Sequence, residues 1–182
     1  MSELSVGSLS GLAANSYVID VAAGSQLTQP GMLLQVVSTT KTDVFSMSST
    51  TFASITGLSA TITPSSASSK ILILAIIFGD HTSASSYSPH IQLLRDSTAI
   101  SIGDAAGSRI QMTTTVGTLP QGRSGTGGAN FLDSPATTSA ITYGFQIRAP
   151  QGTAYINRTT PDTDGTNFGR GVSTITLMEI AG

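Results

Sequence analysis

Apolar and polar residues alternate over many short stretches of this chain, which is the period of a half-buried β-strand. In Ala140–Arg148 every second residue from Ile141 to Ile147 is large and apolar, and Val172–Ile180 follows a similar pattern near the C-terminus. Lys70–Phe78 is different, because nearly all of its residues are aliphatic. Such a run predicts a central strand that is covered on both faces.

Other strands are predicted at the spacing of a sandwich or barrel, with turn residues between them. They span Met32–Thr40, Asp43–Met47, Phe52–Ile62, His90–Leu94, Ala99–Ile102, Arg109–Val116 and Thr153–Asn157. Arg95–Thr98 is predicted to be a hairpin turn, and Thr153–Asn157 is expected to pair with Ala140–Arg148 across Pro150–Gly152. The pattern therefore predicts an all-β fold, in which two antiparallel sheets pack face to face.

The large side chains on the apolar faces of these strands are expected to form one core. They are Ile71, Ile73, Ile76, Phe78, Ile91, Leu93, Ile110, Met112, Tyr143, Phe145, Ile147, Ile175, Leu177 and Ile180. We expect truncation of a fully buried member of this set to destabilise the fold.

Residues 1–31 differ from the rest, being small, polar and interrupted by glycine. Single apolar residues recur in this stretch at Leu4, Val6, Leu9 and Leu12. They have too few neighbours in sequence to be covered locally, so we interpret residues 1–31 as an extended N-terminal arm and residues 32–182 as the sandwich domain. The alternative is an ordinary first strand preceded by a frayed terminus.

Composition indicates a surface rich in hydroxyl groups and poor in charge. Ser and Thr supply 53 of the 182 residues, and charged residues supply 10%, well below the roughly 25% of ordinary soluble domains. A net charge of −2 gives no electrostatic reason to expect binding to nucleic acid or to an anionic membrane. The longest apolar run, Ile71–Phe78, is too short to span a bilayer, so membrane insertion is not expected. Glu3 stands where a secretory signal has a basic region.

Candidates for catalysis are few. The chain has no cysteine and two histidines, His81 and His90, with Asp80 before the first. A Ser-His-Asp site is recognised by its geometry, but Gly122–Thr126 lacks the final glycine of a nucleophile elbow. We expect no catalytic residue, with His81 in a surface loop and His90 at the start of a strand.

A metal or other cofactor is not predicted. The two histidines are nine residues apart with no glutamate nearby, which leaves only a site shared between three chains, each giving one histidine, as an alternative. Asp162–Asn167 begins like a calcium loop, but Asn167 and Ser173 stand where such a loop needs Gly and Glu. A β-turn explains this segment without an ion.

Residues 117–130 have the weakest strand pattern and are predicted to be the least structured part of the chain. No Lys-Ser/Thr pair follows their glycines, so a phosphate-binding loop is not predicted. An exposed loop on a rigid sandwich often carries binding, and the candidate binding loop is Gly122, Arg123, Ser124, Gly125, Thr126, Gly127 and Gly128. The alternative is a plain connection between strands.

Four segments of the chain carry a resemblance to a known family. They are LQVVSTTKTDVFS (34–46), TGLSATITPSSASSKILI (56–73), IQLLRDSTAI (91–100) and STITLMEIAG (173–182). Together they resemble a domain of tail-fibre and other virion surface proteins of tailed bacteriophages, especially phages of cyanobacteria and marine bacteria. The resemblance covers about residues 32–182, and SGLAANSYVIDVAAGS (10–25) is similar to leader segments of the same proteins. It implies a jelly-roll-like antiparallel β-sandwich that assembles as a homotrimer on the phage particle.

The function implied by this resemblance is that of a non-enzymatic virion structural protein. It would be made in the bacterial cytoplasm and displayed on the particle surface as a short tail fibre or knob, in contact with other virion proteins and with a host-surface glycan or protein. Because the chain has no fibre-shaft repeat or coiled-coil heptads, a capsid-decorating cement or head-knob protein is the alternative. A carbohydrate-active enzyme or sugar-binding module is a remote alternative. The chain has only two Glu from which to form paired catalytic carboxylates, and it has no Trp to contact a sugar.

The arm at Leu4–Leu12 is expected to attach the protein to the virion. The rival interpretation is that the arm exchanges between the protomers and holds the trimer together.

Overall fold

The computed structural model describes residues 29–82, 87–117 and 124–182. These residues form ten β-strands, and none of them lies in a helix. The strands are β1 (Leu33–Lys41), β2 (Phe45–Met47), β3 (Ala53–Ile62), β4 (Lys70–His81), β5 (His90–Arg95), β6 (Thr98–Ile100), β7 (Gly125–Asp133), β8 (Ile141–Arg148), β9 (Ala154–Ile156) and β10 (Ser173–Ile180). The predicted all-β fold is confirmed.

The strands form two antiparallel sheets that pack against each other. In sheet A the strands are ordered β1-β10-β4-β7, and in sheet B they are ordered β3-β8-β5-β6. The short strands β2 and β9 pair with each other, and β9 continues along β4 beyond the end of β10. Each sheet therefore combines strands from distant parts of the chain, and the order of the eight other strands is that of a jelly roll.

Strand β4 lies between β10 and β7 and alternates between buried and more exposed side chains. Ile71, Ile73 and Ile77 point into the core and are fully buried, whereas Ile76 is 58% exposed. The prediction that this strand is covered on both faces is wrong. In the described residues sheet B covers only the inner face of sheet A, and the outer side chains of β4 remain accessible.

Most of the predicted core residues lie between the sheets. Those that are buried are Ile71, Ile73, Ile91, Leu93, Tyr143, Phe145, Ile147, Ile175 and Leu177, whereas Phe78 and Ile180 are only partly buried. The predictions for Ile76, Ile110 and Met112 are wrong, because these side chains are exposed. Buried residues missing from the prediction include Ile55, Leu58, Ile62, Ile77, Ile141 and Ile156.

Three strand assignments differ from the sequence prediction. Arg109–Val116 forms no strand, and only an isolated bridge joins its Thr114 to Ile91. Strand β9 pairs with β2 and β4 in sheet A instead of with β8 in sheet B. The glycine-rich stretch forms the first half of β7, because β4 provides a free edge with which its backbone pairs.

Gly127 shows why this strand is rich in glycine. A Cβ atom at this position would overlap the carbonyl oxygen of Thr115 and would crowd the side chain of Thr114. Glycine in a strand often marks such a close approach of another backbone.

The predicted hairpin at Arg95–Thr98 is confirmed between β5 and β6, and Asp96 has a φ of 51° at its turn.

The start of the sandwich lies beside the C-terminal end of the chain. The amide of Gly31 donates a hydrogen bond to the carbonyl oxygen of Ala181 at 2.8 Å. The predicted arm, apart from its last residues at 29–31, lies outside the described residues.

Leu177 provides a test of this core. Its side chain is fully buried, so we expect Leu177→Ala to lower the free energy of unfolding by about 2–5 kcal/mol. The matched control is Ile110→Ala, at a position that is 41% exposed, where a change of roughly 0.5 kcal/mol or less is expected. Chemical denaturation at one protein concentration measures both. Equal effects of the two substitutions would contradict this placement of the last strand.

Candidate functional site

The outer face of sheet A is the first candidate for a functional surface. We define it by three rungs of side chains, each of which crosses β1, β10, β4 and β7. The rungs are Val36–Met178–Leu72–Leu132, Ser38–Thr176–Leu74–Asn130 and Thr40–Thr174–Ile76–Gly128. Val36, Ile76 and Leu132 are 52%, 58% and 48% exposed, so large apolar side chains are accessible on three of the four strands.

This face contains no ionisable side chain, and some of its hydroxyl groups already have partners within the sheet. The hydroxyl oxygens of Ser38 and Thr176 lie 2.9 Å apart, and Ser38 donates a hydrogen bond to the carbonyl oxygen of Ile175 at 3.3 Å. A polar group with an internal partner is less costly to remove from water than one without. The face is therefore chemically suited to being covered.

Both ends of the face are defined by neighbouring residues. At one end, the exposed Lys70 begins β4 opposite Ile180 of β10. At the other end, Gly171 lies so close to the ring of Phe78 that a Cβ atom on this glycine would overlap the ring. The three rungs lie between a lysine and a loop that packs on Phe78.

The outward-facing residues of sheet B are more polar. Gln146 donates a hydrogen bond to Gln92 at 2.6 Å, and Gln92 donates one to the carbonyl oxygen of Gln111 at 2.7 Å. His90 pairs with Arg148 across β5 and β8. Burial and, secondly, the positive charge of Arg148 lower the pKa of His90 below its ordinary value, which favours the neutral imidazole. The two sheets thus present different chemistry outward.

The residues considered for catalysis have structural contacts. His81 is the last residue of β4 and is 1% exposed, so the prediction of a surface loop is wrong for it. The buried carboxylate of Asp80 accepts hydrogen bonds from the amides of His81 and Thr160, at 2.7 and 2.8 Å. His90 begins β5, as predicted. The Asp80 carboxylate therefore holds two backbone segments together.

The segment considered as a calcium loop is held by ion pairs. Asp162 accepts hydrogen bonds from Arg158 and Arg170, with nitrogen–oxygen distances of 2.7 Å in both pairs. The guanidinium carbon of Arg158 lies 3.7 Å from the centre of the Tyr155 ring, a geometry that adds a cation–π contact. The carboxylate of Asp162, the first in this segment, is thus paired with two cationic side chains.

A third carboxylate links the two sheets. Asp133 on β7 accepts a hydrogen bond of 2.6 Å from the hydroxyl group of Tyr143 on β8. Arg95 on β5 lies on its other side, with one nitrogen 3.0 and 3.1 Å from the two carboxylate oxygens. Burial and the hydrogen bond to Asp133 raise the pKa of Tyr143 above its ordinary range, so the phenol stays a donor.

Glu179 on β10 fixes the loop between β3 and β4. Its side chain is fully buried and accepts hydrogen bonds from the amide and the hydroxyl group of Ser65, at 2.7 and 2.6 Å, and from Gln35 at 2.5 Å. Burial alone would raise the pKa of this carboxyl group, but the hydrogen bonds outweigh burial and lower the pKa to about 2. Glu179 is therefore ionised in the native state at neutral pH.

The candidate binding loop is only partly a loop. Gly125, Thr126, Gly127 and Gly128 lie in β7 and pair with Ile76–Gly79 of β4, so the prediction that they form a loop is wrong. Ser124 directly precedes the strand, whereas Gly122 and Arg123 lie outside the described residues. Binding by this stretch remains a prediction.

The candidate arm residues Leu4, Val6, Leu9 and Leu12 also lie outside the described residues, so attachment through the arm remains a prediction as well.

Sequence reasoning did not find the outer face of sheet A. The available signal was the aliphatic run Lys70–Phe78 together with Met178, which is in phase with the outward residues of β10. In an antiparallel sheet with one solvated face, such outward aliphatic residues are unusual.

Among residues 29–82, 87–117 and 124–182, no group of three or more His, Cys, Asp or Glu side chains is arranged to hold a metal ion. No helix in that part of the chain is long and apolar enough to cross a membrane. Comparison with known proteins finds no protein family and no curated protein that match this chain.

The low pKa of Glu179 predicts how stability depends on pH. Because the native pKa of about 2 lies below the ordinary value of 4.5, ionised Glu179 stabilises the fold above about pH 4.5, and this contribution is lost as the pH falls towards 2. We expect Glu179→Gln to lower the free energy of unfolding at pH 7 by about 3 kcal/mol and to flatten its decline between pH 4.5 and 2. Denaturation series at several pH values measure both effects.

The control for this series is Asp104→Asn, at an exposed position. This variant should keep the slope of the unmodified chain. Parallel pH profiles for the unmodified chain and Glu179→Gln would show that other groups cause the acid sensitivity.

Proposed function

We propose that this chain is a non-enzymatic structural protein of a tailed-bacteriophage virion and that it is displayed on the particle surface as a homotrimer. The observation that carries the proposal is the order of the strands, β1-β10-β4-β7 against β3-β8-β5-β6. Jelly rolls of this kind serve as viral capsid and lectin domains. Fold alone does not imply function, so the contacts of the polar side chains also matter.

The use of charge in the fold supports a structural role. Asp80, Asp133 and Glu179 each accept hydrogen bonds from groups in another segment of the chain. Three of the ten acidic residues thus act as connections within the sandwich. A surface module of a virus particle needs this type of stability, in a chain that also has no cysteine to react.

The resemblance of residues 32–182 to virion surface domains gives the setting of the proposal. A short tail fibre or knob that contacts the host surface is the leading form, with a host glycan or protein as its receptor. A capsid-decorating cement or head-knob protein is the alternative form. Both forms place the same sandwich on the outside of the particle, and they differ in location.

The test of this proposal is the location of the protein in purified particles. Mass spectrometry of virions of the encoding phage should detect the chain, and immunogold labelling with antibodies against the full chain should mark the particle exterior. Label on the tail supports the fibre form, and label on the head supports the decorating form. Virions that contain none of this chain would contradict the proposal.

The arm hypothesis generates a separate prediction. If residues 1–31 dock on the virion, a chain that lacks residues 2–28 should still fold and assemble in solution but should no longer be incorporated into particles. The physical reason is that an arm of this composition orders mainly on a partner. Light scattering measures assembly, and blotting of purified particles measures incorporation. A truncated chain that is monomeric would show that the arm belongs to the trimer.

A further inference from the structure

We infer that the outer face of sheet A is the surface through which copies of this chain meet, with three copies arranged around one axis. The inference rests on the proposed function for its homotrimer and deepens it by naming the surface. It commits to further copies of this chain as the occupant of the face.

The first step is the chemistry of the face. Val36, Ile76 and Leu132 are each about half exposed, and with Leu72, Leu74 and Met178 they form a continuous apolar area across four strands. Soluble proteins seldom leave such areas open to water unless a partner covers them. Because the three rungs lack charged side chains, a second copy of the face meets no like charge and no unpaired ion.

The second step is the size of the face. Four strands about 4.8 Å apart give a width of about 19 Å, and three rungs about 6.6 Å apart give a height of about 20 Å. The resulting area of about 400 Å² per copy is roughly half of what a stable interface of standard size buries on each partner. A face-to-face dimer through this surface alone would therefore be weak.

The third step is the geometry of a threefold arrangement. Stacked sheets lie about 10 Å apart, so each sheet lies about 5 Å from the middle of the shared side-chain layer. A triangular prism whose three faces lie about 5 Å from its axis has faces about 17 Å wide, close to the width of four strands. The sheet is thus as wide as a prism of three sheets requires.

A threefold arrangement also adds contacts that a face-to-face dimer lacks. In the described residues, β1 and β7 are the edges of the four-strand part of sheet A that carries the face. At each corner of the prism, β1 of one copy approaches β7 of the next. Every copy then has two neighbours in a closed heterologous ring. Contacts between the edge strands add to the contacts that the small face makes.

The test places a charge at the centre of the face. We expect the unmodified full chain to be a trimer at micromolar concentration and Ile76→Glu to be a monomer, as measured by light scattering or sedimentation. The matched control is Ile110→Glu, which introduces the same charge at another exposed isoleucine and should leave the trimer intact. Circular dichroism of each variant shows that the strands are retained. An unmodified chain that is monomeric, or an Ile76→Glu variant that stays trimeric, would overturn the inference.

A second variant keeps the inference testable if Ile76→Glu fails to fold. Because the chain has no cysteine, Ile76→Cys gives each protomer a single thiol near the proposed axis. A short bismaleimide should link two chains and leave the third single, so about two thirds of the chains should appear as dimers on a denaturing gel. Ile110→Cys should yield monomers. Complete dimer formation by Ile76→Cys would indicate a twofold interface, and its absence would indicate that the face is not shared; either result overturns the inference.

These measurements separate the inference from the proposed function. A solution trimer that dissociates on Ile76→Glu supports the inference even if virions prove to lack the chain. A chain that is present on virions but is monomeric in solution supports the virion role and overturns the proposed surface.

Discussion

The position of β4 in sheet A is the constraint on which the rest of the structure depends. Its backbone pairs with β10 and then β9 along one edge and with β7 along the other. Its inner side chains Ile71, Ile73 and Ile77 are fully buried in the core. Since successive residues of a strand point to opposite faces, burying these residues forces Leu74 and Ile76 outward. The core and the exposed apolar face are therefore two consequences of one strand.

The carboxylates that lie around this core connect distant parts of the chain. Asp133 joins the two sheets through Tyr143 and Arg95, and Glu179 holds the loop at Ser65. Removing one partner of such a contact leaves a buried polar group without its hydrogen bond, which costs more than the bond itself contributes. The low charge content of the chain is thus concentrated partly in contacts that hold the sandwich together, and an uncharged surface remains on sheet A.

This division of roles supports the proposed function and the proposed surface. The outer side of sheet B has polar side chains, with Gln146 and Arg148 partly buried and Gln92 buried, on β5 and β8. Sheet A presents aliphatic and hydroxyl side chains with internal hydrogen bonds. In the proposed trimer the apolar outer face of sheet A is covered, and the more polar side of sheet B lies away from the interface.

The sequence by itself determined where most strands lie, because period-two alternation is a local property. It located β1, β4, β5, β8 and β10 and the hairpin at Asp96. It could not determine which residues of β4 face inward, since aliphatic side chains occupy both phases of Lys70–Phe78. Only pairing with sheet neighbours decided that Ile77 is buried and that Ile76 is exposed. For the same reason the glycine-rich Gly125–Gly128 became a strand: its partner on β4 lies about fifty residues earlier in the chain, and local sequence contains no record of that contact.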